Sequence, residues 1–425
     1  MNKIRQYFST FDIIRGFLIA FLGSAFIYLN YWGHSHPFIT TIFGVTSLHL
    51  LLQEKERTWF IYGFFTGLFW FWWIGLSFEH YKMIWAILPV IFFIAFAYGF
   101  IFWFIAFLAE KSESKYSTPF PTALVIKALA ILLLSYLHPF GFDWLKLELM
   151  FVESYLGIEK WQFSIILFAS VLAHWKKELL WLFLVLFAYQ PANTNVSNIP
   201  YNVQIITTHT SVKDKWNTSL HSAQFDALFK TIDQAIEQNK TLIILPESVF
   251  PLFLNHSQPL IDKLQEKAQK IAIVTGGLYW DGKVPHNSTY IFNKNKISVA
   301  HKVILVPFGE RNPLPNFLSD WVNQVFYDGA IDYQASSKIT DYIIDRKTYR
   351  NAICFEATSE KLYEKDKHGN YPKNMIVLSN NGWFTPSTEP TLQKLLLQYY
   401  SKKYGTTIYH AVNMSESYVI KSEAY

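Results

Sequence analysis

The second half of the chain places a carboxylate, a lysine and a thiol near the ends of short apolar runs typical of buried strands. Glu247 follows one such run, Lys302 lies at the end of a second, and Cys354 ends a third. A thiol nucleophile, a base that takes its proton and a cation for a developing oxyanion are what covalent acyl transfer requires. Cys354 is the only cysteine of the 425 residues, and a lone cysteine is more typical of a small buried hydrophobe. The catalytic interpretation therefore depends on all three residues together.

The composition excludes several classes of protein. A single cysteine leaves no disulfide framework and no cysteine-based zinc site. The net charge of +5, with few basic runs, does not favour nucleic-acid binding. The aromatic fraction of 18% is high, and most of the 15 Trp lie before residue 190. We expect a membrane protein with basic cytoplasmic loops, and neither a metal nor a cofactor.

The first 190 residues predict a helical membrane domain, because their apolar runs are too long and dense for a soluble core. The seven expected spans are 11–30, 37–53, 58–78, 83–109, 122–138, 161–174 and 178–190. An N-terminus in the cytoplasm puts most loop Lys and Arg on that side. Seven crossings then put everything after residue 190 outside the cytoplasm, whereas an even number, if one of the two short segments at 161–174 and 178–190 does not cross, would reverse this. We expect Arg15 and Lys127 to snorkel. The outer loop at 139–161 is interpreted as solvated with interfacial aromatics, or else as one wall of a lipid or peptide entrance.

The polar, Pro-bounded stretch at 191–200 predicts a linker. After it, short strand-like runs alternate with amphipathic helices and then occur in pairs, which indicates a layered α/β domain at 201–425. The run at 341–353 is interpreted as one strand before Cys354, and the polar stretch at 358–367 as the start of a helix.

Four short segments of the second half resemble the nitrilase (carbon–nitrogen hydrolase) superfamily. They are Leu-Pro-Glu at 245–247, His-Lys at 301–302 with Val-Pro-Phe-Gly-Glu at 306–310, Ile-Cys-Phe-Glu at 353–356, and Ser-Asn-Asn-Gly-Trp-Phe at 379–384. A multi-span segment in front of them resembles the apolipoprotein N-acyltransferase family, and this resemblance covers nearly the whole chain.

The resemblance implies a multi-span α-helical membrane domain followed by an α/β nitrilase-like α-β-β-α sandwich. It implies a multi-pass protein of the bacterial inner membrane, with the catalytic domain on the periplasmic side. The expected reaction moves an acyl chain from a phospholipid to the α-amine of the N-terminal diacylglyceryl-cysteine of apolipoproteins, by a ping-pong thioester mechanism. The partners are then a phospholipid donor and a lipoprotein acceptor, and we expect a monomer.

The resemblance marks Glu247, Lys302 and Cys354 as the catalytic residues. In that mechanism Glu247 is the base, Cys354 the nucleophile, and Lys302 faces the oxyanion together with the backbone N–H of Phe355. Two further acids either orient Lys302 or the acceptor amine, or are salt-bridge partners without a direct role; they are Glu310 and Glu356.

The lipid-binding candidates are apolar. Phe317, Trp321 and Val325 fall on one helical stripe, which either packs on the domain core or lies on the membrane over the site. Trp383 and Phe384 are expected to line the same pocket.

Some positions depart from the family pattern. Leu245 replaces a common Trp, Arg311 a common Tyr, and Phe355 a common Tyr, which removes a hydroxyl. The family usually ends in a further transmembrane helix, whereas residues 414–425 are polar, as expected of a shorter variant or a truncated chain.

Two other functions remain open from the sequence. A membrane-tethered amidase or nitrilase-type hydrolase of a small amide would share the three catalytic residues but leave the apolar stripe and the long membrane domain unexplained. A non-catalytic lipid-binding membrane protein would tolerate the loss of one of the three, yet all are present.

Overall fold

The computed structural model describes residues 8–115, 121–138, 141–192, 196–312 and 332–421. The chain forms two compact units. The first comprises Met1–Pro139, Asp143–Thr194 and Pro386–Tyr399, and the second Phe140–Phe142, Asn195–Thr385 and Tyr400–Tyr425.

The first unit is built of helices that begin close to the expected boundaries. They are α1 Thr10–Tyr31, α2 Pro37–Gln53, α3 Glu56–Phe71, α4 Ile87–Lys115, α5 Thr122–Leu134 and α6 Lys160–Lys176. Among the described residues, three helical stretches are long and apolar enough to cross a membrane: Thr10–Tyr31, Glu56–His80 and Ile84–Glu113. Large apolar side chains such as Phe93 and Phe100 are exposed on α4, as expected of a lipid-facing helix.

The starts of two helices follow from local sequence. The Ser9 hydroxyl accepts a hydrogen bond from the Asp12 backbone N–H, and the Asp12 carboxylate accepts one from Ser9, which is a capping box at the start of α1. Pro37 occupies the first position of α2, where a missing N–H costs nothing.

The last apolar stretch, where the sequence predicted a short span at 178–190, is a 3₁₀ helix, Leu179–Ala188. Lys177 turns the chain with φ 58° at the end of α6. The Gly157 N–H then donates to the Ala188 carbonyl at 2.9 Å, so the 3₁₀ helix returns to the level at which α6 begins. A 3₁₀ helix rises ~2.0 Å per residue against 1.5 Å for an α-helix, so ten residues reach about 20 Å instead of about 15 Å.

The prediction of a solvated loop at 139–161 is wrong for its central part. Residues 143–152 are buried. The Glu148 carboxylate is fully buried, pairs with the Lys160 ammonium at 2.5 Å and accepts from the Tyr399 hydroxyl at 3.3 Å. Partners within the first unit thus compensate charges that in isolation favour solvent.

The snorkelling prediction is also wrong for Lys127. Its side chain is buried, donates to the Glu54 carbonyl at 2.7 Å and pairs with Glu110 at 3.1 Å. Arg15 pairs with the Glu54 carboxylate while remaining partly exposed. The lysine meets its carboxylate inside the bundle because a buried charge needs a close counter-charge.

The second unit contains two six-stranded sheets. Its strands are β1 Val196–Ser197, β2 Val203–Ile205, β3 Leu242–Ile244, β4 Phe250–Phe253, β5 Ala272–Trp280, β6 Pro285–Asn293, β7 Lys296–His301, β8 Asp341–Ile344, β9 Lys347–Ile353, β10 Asn374–Asn380, β11 Thr407–Asn413 and β12 Tyr418–Ile420. Sheet A has the order β2-β3-β5-β6-β7 with β4 beside β5, and sheet B has the order β1-β12-β11-β10-β9-β8. Within the expected linker, Val196–Ser197 pairs with β12 as an edge strand.

The unit is layered around two apolar cores. One core includes side chains of both sheets, among them Ile244 and Val274 from sheet A and Ile376 and Ala411 from sheet B. The other lies between sheet A and the helices α8 His221–Glu237 and α9 Gln258–Lys267, which follow the short helix α7 Val212–Lys215. The α/β sandwich that the resemblance implied is confirmed. The remaining helix, α10 Glu389–Tyr404, is divided between the two units.

The single strand predicted at 341–353 is instead the hairpin β8–β9. Its two turn residues, Asp345 and Arg346, have φ of 48° and 64°, as a two-residue type I′ turn requires. Neither residue is the glycine that usually marks such a turn, so the sequence did not reveal it. The helix start expected at 358–367 is a 3₁₀ turn, Glu360–Tyr363.

Candidate active site

Glu247 lies in the segment that directly follows β3. The Leu245 N–H donates to the Val274 carbonyl at 2.8 Å, which continues the strand direction up to Pro246. Ser248 then turns the chain with φ 48°. Gly276 of β5 lies directly against this turn, and a Cβ there would be 2.4 Å from the Ser248 nitrogen and 2.7 Å from the Glu247 Cα. Only glycine permits so close an approach.

Asn287 joins two acids of the site. Its side-chain amide donates to Glu247 Oε1 at 2.8 Å and to Glu310 Oε1 at 2.8 Å. Asn287 lies within β6, and Glu310 lies in the turn after β7, where its Oε2 accepts from the Val306 N–H at 2.9 Å. A single amide therefore fixes the separation of the two carboxylates.

Lys302 is the buried cation of this cluster. It follows β7, and its N–H donates to the Asn287 carbonyl at 2.9 Å. Its side chain is 1% exposed, and its Nζ lies 2.8 Å from Glu310 Oε2. Burial by itself lowers the pKa of Lys302, but the charges of Glu310 and Glu247 outweigh it and raise the pKa above the ordinary lysine value. The ammonium is therefore held charged.

The environment of Glu247 suits a base. Burial raises the pKa of Glu247, and the nearby charge of Glu310 raises it further, while Lys302 and the Asn287 hydrogen bond act in the lowering direction. A carboxyl group whose pKa lies above its usual range accepts a proton more readily near neutral pH.

Cys354 follows β9, the neighbour of the edge strand β8 in sheet B, with an abrupt turn. It follows β9 directly, has φ 52°, and begins the 3₁₀ helix Cys354–Thr358. The left-handed conformation is strained for a side chain with a Cβ, and such strain is concentrated at functional sites. The residue is partly exposed, and its charge interacts with those of Lys302 and Lys215. A thiol in this setting is accessible and close to cations, as reactive thiols are.

Glu356 connects the strand ends that carry the lysine and the thiol. Its Oε2 accepts from the backbone N–H groups of Val303 at 2.6 Å and Ile304 at 3.1 Å, and its Oε1 from Ile353 at 2.8 Å. Burial raises the pKa of Glu356 to about 7, against the lowering effects of Lys302 and these three donors. Of the two acids left open by the sequence, Glu310 thus contacts Lys302 directly, and Glu356 orders the backbone on either side of the site.

The remaining candidates differ in what the structure says of them. Phe355 stacks on Phe142 with ring centroids 5.8 Å apart. Trp383 and Phe384 follow β10 in and after the 3₁₀ turn Asn381–Trp383 and are partly buried. The other three lipid-binding candidates lie outside the described residues: Phe317, Trp321 and Val325.

Two residues of the site were missed from the sequence. Asn287 has no sequence signal, because it lies inside a strand between His286 and Ser288. Lys215 donates from its Nζ to the Glu247 carbonyl at 3.1 Å, and its only signal is its place in the loop that follows the parallel strand β2. In the part of the chain that the structure describes, no group of three His, Cys, Asp or Glu side chains could hold a metal ion.

A buried Glu–Lys cluster, a strained cysteine and a two-sheet α/β sandwich are features expected of an enzyme that transfers acyl groups through a covalent intermediate, and here they occur in one chain with a helical membrane part. Residues 10–191 match the apolipoprotein N-acyltransferase integral membrane domain. Over 94% of its length the chain is 39% identical to an apolipoprotein N-acyltransferase of Wolinella succinogenes, covering 94% of that protein. It is 31% identical to that of Helicobacter pylori, over 95% of this chain and 94% of that protein. The chain belongs to the apolipoprotein N-acyltransferase family.

Solved structures of the carbon–nitrogen hydrolase superfamily resemble the second unit. A CN-hydrolase superfamily protein from Xanthomonas campestris is 14% identical, covers 52% of this chain and 82% of its own, and has a TM-score of 0.39. An amidase of the nitrilase superfamily from Nesterenkonia AN1 is 11% identical, covers 53% and 85%, and has a TM-score of 0.39.

Proposed function

We propose that this chain transfers an acyl chain from a membrane phospholipid to the α-amine of a diacylglyceryl-cysteine apolipoprotein through a thioester on Cys354. The observation that carries the proposal is the connected cluster Glu247–Asn287–Glu310–Lys302, whose lysine interacts electrostatically with Cys354. Membership in the apolipoprotein N-acyltransferase family supports the donor and the acceptor.

In the first half-reaction Glu247 takes the thiol proton, and the thiolate attacks the ester carbonyl of the phospholipid. Lys302 and the backbone N–H of Phe355 face the developing oxyanion. The ester C–O bond then breaks, Glu247 returns its proton to the leaving hydroxyl of the lysophospholipid, and the acyl group remains on the sulfur. Glu310 keeps Lys302 charged and in place throughout.

In the second half-reaction the neutral α-amine of the apolipoprotein attacks the thioester. Glu247 accepts a proton from the amine as the C–N bond forms. The C–S bond breaks, and the proton returns to the sulfur, so the free thiol is regenerated. The order predicts ping-pong kinetics, because the lysophospholipid leaves before the acceptor reacts.

The proposal includes the bounds of the domains and the side of the membrane on which the catalytic domain lies. We assign 1–190 to the membrane domain with about seven crossings, 191–200 to a linker and 201–425 to the catalytic domain. The catalytic domain lies on the periplasmic side of the inner membrane, and the return of the 3₁₀ helix Leu179–Ala188 to the start of α6 supports an odd number of crossings. The acyl chain is received by Trp383, Phe384 and the stripe with Phe317, Trp321 and Val325, and the enzyme acts as a monomer.

Capture of the acyl-enzyme tests the reaction. Detergent-purified protein is incubated with a phospholipid labelled in its acyl chain, and hydroxylamine-labile label on the protein is measured. We expect label on the wild type, its loss in Cys354→Ala, and its discharge when a diacylated lipopeptide with a free α-amine is added. Discharge by water at the same rate without the lipopeptide would favour a hydrolase, and no label on the wild type would overturn the proposal.

A further inference from the structure

A second lysine lies behind the proposed base. Lys215 is the last residue of α7, and only 2% of its surface is exposed. Its Nζ donates to the main-chain carbonyl of Glu247 at 3.1 Å. Within the described residues it forms this contact and no salt bridge, so no single carboxylate neutralises its charge.

Local structure holds this lysine in place. The Ser211 hydroxyl caps α7 by accepting from the Asp214 N–H at 3.1 Å, and the Lys215 N–H donates to the Ser211 carbonyl at 2.9 Å. The His221 ring contacts the Lys215 carbonyl at 3.1 Å. Val212 anchors the short helix in the interior. These contacts hold the backbone of α7 at Lys215, so that its ammonium, which is costly to bury without a partner, reaches the Glu247 carbonyl.

The charges around Lys215 indicate what it does. Burial lowers the pKa of Lys215 to about 8, and the charges of Glu247 and Cys354 act in the raising direction. By the same interactions the ammonium favours the ionised forms of both groups. The carbonyl contact, meanwhile, ties it to the turn where Ser248 has φ 48°.

We propose that Lys215 is a second positioning cation of the site, which fixes the turn that carries Glu247 and stabilises the thiolate of Cys354. The inference rests on the proposed function in one respect, namely that Cys354 is the nucleophile. It adds a cation that is distinct from Lys302, which pairs directly with Glu310.

The test measures the alkylation rate of Cys354 with iodoacetamide against pH on the full-length protein in detergent. Cys354 is the only thiol, so Cys354→Ala gives the blank. We expect Lys215→Met to move the apparent thiol pKa upward and to lower the rate at pH 7 by about ten-fold, since one pKa unit corresponds to ten-fold. Lys215→Arg, which keeps the positive charge, is expected to have the wild-type pH profile of alkylation. Lys213→Met, which removes an exposed lysine of the same helix, leaves it unchanged.

Two results would overturn the inference. One is a Lys215→Met profile with the wild-type midpoint; the other is a uniform loss of rate at every pH, which a merely structural role produces. If Lys215→Met does not fold, as judged by its Tm, Lys215→Gln replaces it and the same two results decide. The acyl-enzyme capture with labelled phospholipid is separate, because alkylation requires no acyl donor. If Lys215→Met shows the expected shift in the alkylation profile but the wild type never accumulates acyl label, the acyl transfer is contradicted and the Lys215 inference is supported.

Discussion

Asn287 controls how readily Glu247 takes a proton. Its hydrogen bond to Glu247 Oε1 favours the ionised carboxylate, against the burial that raises the pKa of Glu247. Removing this bond in Asn287→Ala therefore raises the pKa further, and less of the base form is present near neutral pH. We expect the acid limb of the kcat/KM profile to move to higher pH. The control is Asn293→Ala at the far end of the same strand, and an unmoved acid limb in Asn287→Ala would contradict the role.

Lys302 is expected to act in the transition state. Its ammonium is fixed by Glu310 at 2.8 Å and is held charged. Loss of one oxyanion donor typically costs roughly 10²–10³-fold in kcat, and we expect this loss in Lys302→Ala, measured as the rate of acyl-thioester formation. Lys296→Ala removes an exposed lysine from the start of β7, the strand that precedes Lys302, and should have no effect. Near-full activity in Lys302→Ala would exclude the role.

At the residue scale, the position of a residue directly after a strand could be predicted where a recognisable apolar run precedes it, whereas the catalytic roles of these residues stay predictions. Glu247 and Lys302 follow β3 and β7 of sheet A, and Cys354 follows β9 of sheet B. Asn287 and Lys215 could not be predicted, because their importance consists of contacts to partners 40 and 32 residues away. The sequence around Asn287 or Lys215 does not indicate that either residue contacts Glu247.

The close approach of β5 to the Glu247 turn gives a test with a built-in control. Gly276→Ala would put its Cβ 2.4 Å from the Ser248 nitrogen, so the turn must move. We expect a loss of about 1–3 kcal/mol of stability and a fall in kcat of order 10²-fold from misplacement of the base. At the adjacent Gly277 the nearest atom would be 3.4 Å away. Equal effects of Gly276→Ala and Gly277→Ala on kcat would contradict the positioning argument.

Glu356 ties β7 to β9, and its replacement should weaken that link. Glutamine in Glu356→Gln presents one acceptor oxygen, so at least one of the three buried N–H donors loses its partner, at a cost of about 1–3 kcal/mol. We expect a lower Tm and a lower kcat. Glu364→Gln, at an exposed position nearby, should match the wild type in both measurements.

The same residue gives a pH dependence whose sign follows from linkage. Its pKa is raised from 4.5 to about 7 in the folded protein, so between these values the folded form holds a proton that the unfolded form has lost. This contribution to stability is present below pH 4.5 and is lost as the pH rises through 7. A plot of Tm against pH for Glu356→Gln should lack this decline, and an identical slope in both proteins would contradict it.

The elements that the sequence misread share a physical reason. The β8–β9 turn has two non-glycine residues with positive φ, Asp345 and Arg346, which composition does not flag. The 3₁₀ geometry of Leu179–Ala188 reflects the length that ten residues must cover, and hydropathy reports only that they are apolar. Periodicity in the sequence predicts whether a segment is a helix or a strand. The type of a turn and the geometry of a helix depend instead on the segments that they must connect or contact.

At the scale of the whole molecule, the unexpected feature is the grouping of Pro386–Tyr399 with the membrane helices. Within that unit the Gln398 amide donates to Glu153 at 2.9 Å and the Tyr399 hydroxyl to Glu148 at 3.3 Å, across 245 and 251 residues of sequence. The contact of Tyr399 with Glu148 also helps to explain why residues 143–152 are buried. A polar composition predicts solvent exposure only when no distant segment supplies the partners.

The path of the last apolar stretch determines on which side of the membrane the catalytic part begins. Since Ala188 returns to Gly157, the chain after it should emerge on the side opposite Lys177. With Cys354→Ala as a background without cysteines, we expect Asn198→Cys to react with a membrane-impermeant maleimide on intact spheroplasts and Glu178→Cys to react only after permeabilisation. Both positions are exposed, so accessibility in the folded chain is matched. Labelling of Glu178→Cys alone on intact spheroplasts would reverse the topology, and with it the periplasmic assignment of Glu247, Lys302 and Cys354.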